Sequence, residues 1–260
     1  MRNYIVLCQK EWREHVRNYR IIWLPLVFLL LGMMDPLTYY FMDDILKSVG
    51  NLPDGMQITM PDVGASDMIV STAGQLQSIG MVIFIAIYCS AISGERKNGT
   101  ATLLYVRPVS SRAIFLSKWT VAAMMTCVGV FCSVLASSYY AEVLYGGLNW
   151  QDVIVFYILY SVWMLVVITF TFAMSALTTT AIAATISLIL FVIGSMADAL
   201  IGTYWTYSPF KLPSYAVDIV RGAEVPDALW MTCMICIALI LLSLVLGIYC
   251  THKNRQQTTV

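Results

Sequence analysis

The chain has 260 residues, of which 59% are hydrophobic and only 12% charged, with a formal net charge of zero. A soluble domain of this size carries about 25% charged residues, so this composition excludes a water-soluble globule and points to an integral membrane protein. Neutrality also leaves no bulk field to recruit nucleic acid.

Residues 1–20 are largely polar. Within them Tyr4, Ile5, Cys8, Trp12, Val16 and Tyr19 recur at helical spacing, with Lys10, Arg13, Arg17 and Arg20 elsewhere. That pattern predicts an amphipathic helix on the inner membrane surface. The plainer reading is a basic anchor flanking the first span. No small-residue cleavage site follows cleanly, so a cleavable signal is not expected.

Six stretches then reach the roughly 20 apolar residues that a span requires: 21–41, 75–93, 119–140, 153–177, 181–204 and 229–249. Pro25, Asp35 and Pro36 interrupt the first. Only Thr178, Thr179 and Thr180 separate the fourth from the fifth. A single helix of about 50 residues would overrun a bilayer, so a tight turn is predicted there. The expected fold is all-α: a cytoplasmic segment 1–20, a six-span membrane domain 21–250 and a cytoplasmic tail 251–260.

Charge orients the spans. Arg2, Lys10, Arg13, Arg17 and Arg20 precede the first span, and Arg96, Lys97, Arg107, Arg112 and Lys118 fall between the second and third. Lys253 and Arg255 follow the sixth. The other side holds only Lys47, Lys211 and Arg221. Twelve cations against three place both termini in the cytoplasm by the positive-inside rule. Asp43, Asp44, Asp54, Asp62 and Asp67 then lie in the first outer loop, where the simple reading is a solvated surface.

The loop after the second span is the most informative stretch. It reads Ser93-Gly94-Glu95-Arg96-Lys97-Asn98-Gly99-Thr100, then Leu103-Leu104 and Arg107-Pro108-Val109-Ser110. Gly94 and Gly99 mimic the glycine spacing of a phosphate loop, but Thr100 stands where its lysine is required. ATP hydrolysis would therefore belong to another polypeptide. Asn98-Gly99-Thr100 is also a formal glycosylation acceptor, discounted on the cytoplasmic side. Thr100, Leu103, Leu104 and Arg107 share one helical face. Asn98 is a suitable N-cap, and Pro108 should stop the helix at Arg107. Ser110 or Ser111 can cap the next helix, which enters the third span through Ile114 and Phe115.

Ile92-Ser93-Gly94-Glu95-Arg96, Gly99-Thr100, Leu103-Leu104, Pro108-Val109-Ser110 and Arg112-Ala113-Ile114 resemble the signature of type-2 ABC transporter permeases. Here Pro-Val-Ser-Ser-Arg is one residue longer than the family's run, and Ala101-Thr102 stand where many members place an acid. The six-span order is similar along the whole chain. The resemblance implies a coupling helix seated on a separate ABC ATPase subunit, which would hold ATP and Mg; this chain would bind neither directly. Leu103 and Leu104 would anchor the contact, and Glu95, Arg96, Lys97, Gly99, Thr100, Arg107, Pro108 and Arg112 would complete it. It further implies an exporter working with a second permease copy or a sibling, among the lipids of a bacterial plasma membrane.

Tyr207 to Gly222, broken by Pro209 and Pro213, is similar to the family's short re-entrant outer helices before the sixth span; a plain structured loop is the alternative. Pro209, Tyr215 and the intramembrane Asp198 are the candidate gate or pathway residues. Asp35 and Glu142 approach the outer boundary, where water can reach them. Gly129, Ser133 and Ser137, Ala173 with Ala176, and Gly194 have the spacing of helix-packing residues. None of the seven cysteines falls in an outer loop, which argues against a disulfide framework. Cys233 and Cys236 read as apolar packing residues inside the sixth span. The two histidines, His15 and His252, lie far apart, so no metal-ligand set is expected. The rival reading is a carrier not driven by ATP, or an immunity-type membrane protein. A carrier would be expected to show repeats or broken helices with buried ion ligands.

Overall fold

The computed structural model describes residues 2–42, 44–45, 63–99, 109–224 and 226–258. Its helices are α1 (Arg2–Arg17), α2 (Arg20–Tyr40), α3 (Ala65–Gln75), a π turn (Leu76–Gly80), α4 (Met81–Tyr88), α5 (Ser93–Lys97), α6 (Ser111–Leu144), α7 (Trp150–Leu177), α8 (Thr180–Ile201), a 3-10 turn (Pro209–Lys211), α9 (Leu212–Val220) and α10 (Ala228–Thr258). Among the described residues, six runs are long and apolar enough to cross a membrane: Arg20–Tyr40, Ala65–Lys97, Ser111–Leu144, Trp150–Leu177, Thr180–Ile201 and Ala228–Gln256. They are spans 1 to 6. An even number of spans puts α1 and the end of α10 on one face, called the terminal face below.

All six expected spans are present, and the chain turns at Thr178 and Thr179 as predicted. Several boundaries differ. Span 2 begins at Ala65 rather than at residue 75, so Asp67 belongs to a helix and not to the outer loop. The Gly64 N–H donates to Asp67 Oδ2 at 3.1 Å and starts the helix there. Hydropathy misses these first turns because Ser66, Asp67, Ser71, Thr72 and Gln75 are polar. Two of these are answered within the bundle: Thr72 Oγ1 donates to Ser137 Oγ at 2.7 Å, and Ser71 Oγ to the Asp67 carbonyl at 3.0 Å. Span 3 begins at Ser111, with Ser110 as its N-cap accepting from the Ala113 N–H at 3.3 Å. The sixth helix runs without a break through residues expected to form a tail.

Span 4 is the central helix. Phe156, Tyr160, Trp163, Val167, Ile168 and Phe172 are all buried along it. Spans 5 and 6 lie outside and leave most of their apolar side chains uncovered. Lipid tails are as apolar as leucine, so helix association here depends on close packing and polar contacts rather than on expulsion of water. Small residues provide the close packing. A Cβ on Gly32 would lie 2.0 Å from the Ser133 carbonyl oxygen, so spans 1 and 3 touch backbone to backbone. One turn away, Gly129 opens space for Phe28 and Phe84, which stack at 4.6 Å between ring centroids. Gly194 receives the ring of Phe210, and Gly247 that of Phe115.

Gly32→Ala forces backbone apart at its tightest crossing. Overpacking of this kind destabilises by about 1–3 kcal/mol. The detergent-solubilised variant should melt several degrees lower, whereas Gly74→Ala, with nothing within 4 Å of the added carbon, should melt like the parent. Equal melting of the two variants would contradict this packing.

Candidate functional site

The candidate coupling segment begins where span 2 breaks at the terminal face. The helix loosens at 89–92 and resumes as α5. A break leaves backbone donors that need partners, and span 4 supplies one. Ser175 Oγ accepts from the Ile92 N–H and the Ser93 N–H, both at 3.1 Å. Ser93 Oγ bonds Thr180 Oγ1 at 2.8 Å and donates to the Cys89 carbonyl at 3.0 Å. Arg96 Nη2 donates to the Ser175 carbonyl at 3.2 Å and also to that of Thr178. From span 6, Asn254 Nδ2 donates to the Ala176 carbonyl at 2.8 Å. Two last-turn carbonyls of span 4, those of Ser175 and Ala176, which have no intrahelical donors, are thus met from spans 2 and 6.

On its other side α5 carries Glu95 into a charged quartet. Glu95 Oε1 lies 2.9 Å from Lys118 Nζ and 3.2 Å from Lys10 Nζ. Glu11 Oε2 lies 3.0 Å from Lys118, and Glu11 Oε1 lies 3.1 Å from Lys10. Lys118 and Glu11 have side chains only 7% and 9% exposed, so each charge needs the others. Burial works against the ammonium of Lys10, but Glu11 and Glu95 outweigh it and hold its pKa above the ordinary lysine value.

The quartet docks α1 sideways onto the bundle. Tyr4, Glu11 and His15 face the protein, with Tyr4 OH 2.7 Å from Thr120 Oγ1. Ile5, Trp12, Val16 and Tyr19 stay exposed. The expected amphipathic helix is therefore present, but Tyr4 turns inward rather than toward the membrane. Docking requires that third, ionic face, and apolar periodicity alone does not reveal it.

Of the expected contact residues, Glu95 and Arg96 are held within the chain as described. Lys97 and Arg112 are exposed, and Gly99 is exposed with φ of +71°. Asn98 is the C-cap of α5, where a helix start was expected. The glycine that follows takes the left-handed conformation common after a helix end. Thr100, Leu103, Leu104, Arg107 and Pro108 lie outside the described residues. From the sequence, Glu95 can pair with a nearby cation or with the N-terminal helix, and it meets both, through Lys118 and Lys10; what sequence reasoning missed is Glu11 as the second acid and Lys118 as the cation between them. The signal was there: an acid on the inner face of a basic helix, and a lysine at the mouth of span 3. It also missed Ser175 and Asn254, which gave no such signal.

At the far face, Asp198 is buried in span 5, with Ser214 Oγ 3.4 Å from its Oδ2. The Pro209 carbonyl accepts from Cys236 Sγ at 3.9 Å. Tyr215 is 7% exposed and donates to the Thr206 carbonyl at 2.7 Å. The Glu142 carboxylate closes the turn after span 3 by accepting from the Leu148 N–H at 2.9 Å. Gln77 joins three spans from within the π turn. Its Oε1 accepts from Trp163 Nε1 at 2.8 Å, and its Nε2 donates to Ser195 Oγ at 2.7 Å.

Lys118→Met strands buried Glu11 and partly buried Glu95 beside one remaining, half-exposed lysine. Removing one partner of a buried ionic group costs about 3 kcal/mol, and removing an exposed partner under about 1 kcal/mol. Lys118→Met should therefore raise amide exchange throughout α1, while Lys10→Met changes it little. The reverse order would refute the assignment of Lys118 as the central cation.

Residues 5–213, from α1 into α9, match a family described as ABC-2 family transporter protein. A relative in Bacillus subtilis (strain 168), the uncharacterized transmembrane protein YxlG, is 30% identical over 169 residues, covering 65% of this chain and 66% of that protein. The aligned part spans just under two thirds of the relative's length. With six spans and a family match over most of its length, the chain belongs to the ABC-2 family of multi-pass transporter membrane components.

Proposed function

We propose that this chain is the permease subunit of an ABC exporter, driven by ATP hydrolysis in a separate ATPase polypeptide that holds the nucleotide and Mg. One observation carries the reading. Within a family of transporter membrane components, the five-residue α5 is bonded to α1, span 3, span 4 and span 5 at once. Force applied to the segment that continues from α5 would reach four helices through hydrogen bonds and ion pairs. The twelve-to-three cation asymmetry supports a cytoplasmic terminal face, where an ATPase could press on that segment. Leu103, Leu104, Lys97 and Arg112 would meet it, while Glu95 and Arg96 would transmit its motion inward. The uncovered apolar faces of spans 5 and 6 leave room for a second permease, either another copy or a sibling.

At the far face, the segment from Pro209 to Val220 would act as a re-entrant outer gate. Phe210 supports this reading, since its ring packs 5.4 Å from Trp163, a residue midway along α7. Asp198, bridged to this segment through Ser214, would respond to its movement.

Leu103→Asp combined with Leu104→Asp should abolish co-purification of the partner ATPase and its stimulation, with the permease still folded in the membrane. Retained stimulation would end the coupling assignment. Asp198→Asn should lower transport several-fold and increase labelling of a cysteine placed at Tyr215. Unchanged transport and labelling would remove the gating role.

A further inference from the structure

A cavity of about 520 Å³ opens at the terminal face between α1, the start of α2, the end of α4 and the first turns of α6. That size suits a small ligand or headgroup. Arg17 and Arg20 line it, the charged quartet forms one wall, and Tyr88 and Phe172 supply apolar surface. The quartet contains two acids and two bases and cancels itself. Among the described lining residues, Glu14 is the remaining carboxylate and Arg17 and Arg20 the remaining cations, a surplus of one positive charge at neutral pH. Among the described residues, neither arginine is in an ion pair.

Two further features converge here. His15 lines the cavity, is 8% exposed, and its Nδ1 has no hydrogen-bond partner. Burial, reinforced by the nearby Arg20 charge, drives its pKa down to about 4, so the ring is neutral at pH 7. Glu11 acts in the other direction and Lys118 adds to the lowering. Between α1 and α2, Tyr19 adopts left-handed φ of 55° and ψ of 14°, a conformation that costs a non-glycine residue roughly 1–2 kcal/mol. The strained corner sets Arg17 and Arg20 on either side of one bend. Trp12 and Val16, exposed on α1, would hold the bend at headgroup depth.

We propose that this cavity binds the phosphate of an anionic phospholipid headgroup, gripped by Arg17 and Arg20 and hydrogen-bonded to His15 Nδ1. Guanidinium forks match phosphate oxygens, and basic pockets between spans on the cytoplasmic side suit such headgroups. A single net positive charge fits a phosphodiester monoanion better than a free phosphate dianion, and the apolar wall suits the glycerol backbone. The inference rests on the membrane placement of α1 and not on ATPase coupling.

The chain has two histidines, and His252, exposed on α10, serves as the internal reference. The full chain with isotope-labelled histidine rings, in neutral detergent, is titrated with dihexanoyl phosphatidylglycerol. The His15 signals should shift saturably and their titration midpoint should rise by about one pH unit or more, with His252 unmoved. Arg17→Gln combined with Arg20→Gln should erase the effect while the His252 signals and melting temperature stay as in the parent. No response to phosphatidylglycerol, an equal response to dihexanoyl phosphatidylcholine, or a full response in the double variant would overturn the site. Inorganic phosphate matching the lipid at equal concentration would overturn the lipid as its ligand.

Discussion

The structure depends on how backbone polar groups are satisfied where a membrane helix breaks. In hydrocarbon an unpaired N–H or C=O costs several kcal/mol, so a break in span 2 needs outside partners. The hydroxyl of Ser175 provides them, accepting two consecutive amides at 92 and 93. Arg96 returns the favour by donating to two carbonyls at the end of span 4. The exchange is reciprocal. The break in span 2 and the end of span 4 satisfy each other, and neither can shift alone without exposing polar groups.

That reciprocity divides the bundle into two regimes. At the terminal face, helices are joined by directional bonds: Arg96 to span 4, Ser93 to span 5, Glu95 to span 3 and α1, Asn254 to span 4. Deeper in, where Gln77 and Thr72 still bond across spans, close fit of shape makes the tightest contacts, with Gly32 against the Ser133 backbone and Gly194 under Phe210. Directional bonds have discrete alternatives and can switch. Backbone-to-backbone packing resists shear. A device that receives force at one face and transmits it through rigid helices would have this division.

The same division explains what could be read from the sequence. The spans were legible because about 20 apolar residues in a row have few other uses, and the turn at Thr178 followed from bilayer thickness. The Ser110 cap was legible because capping is local. The early start of span 2 was not, since Thr72 is answered by Ser137, sixty-five residues away. Asn98 ends α5, a five-residue helix that apolar periodicity does not mark, and the helix expected to start after it falls outside the described residues. Arg96 looked like a surface cation because its acceptors are main-chain carbonyls, which have no sequence signature.

The charged quartet then raises the question of why charges are buried there at all. A buried ion pair is seldom more stable than an apolar substitute of equal volume. Its advantage is specificity. Turning α1 by one residue, about 100°, would carry Glu11 from beside Lys118 toward the side of Trp12 and Val16, where no cation answers it. An apolar interface would tolerate that slip, because leucine packs against leucine in many registers. The helix is therefore held to one rotation, and that rotation also aims His15 inward and brings Arg17 to the bend at Tyr19. Stability traded for register at the quartet is what keeps the neighbouring cavity in a single shape.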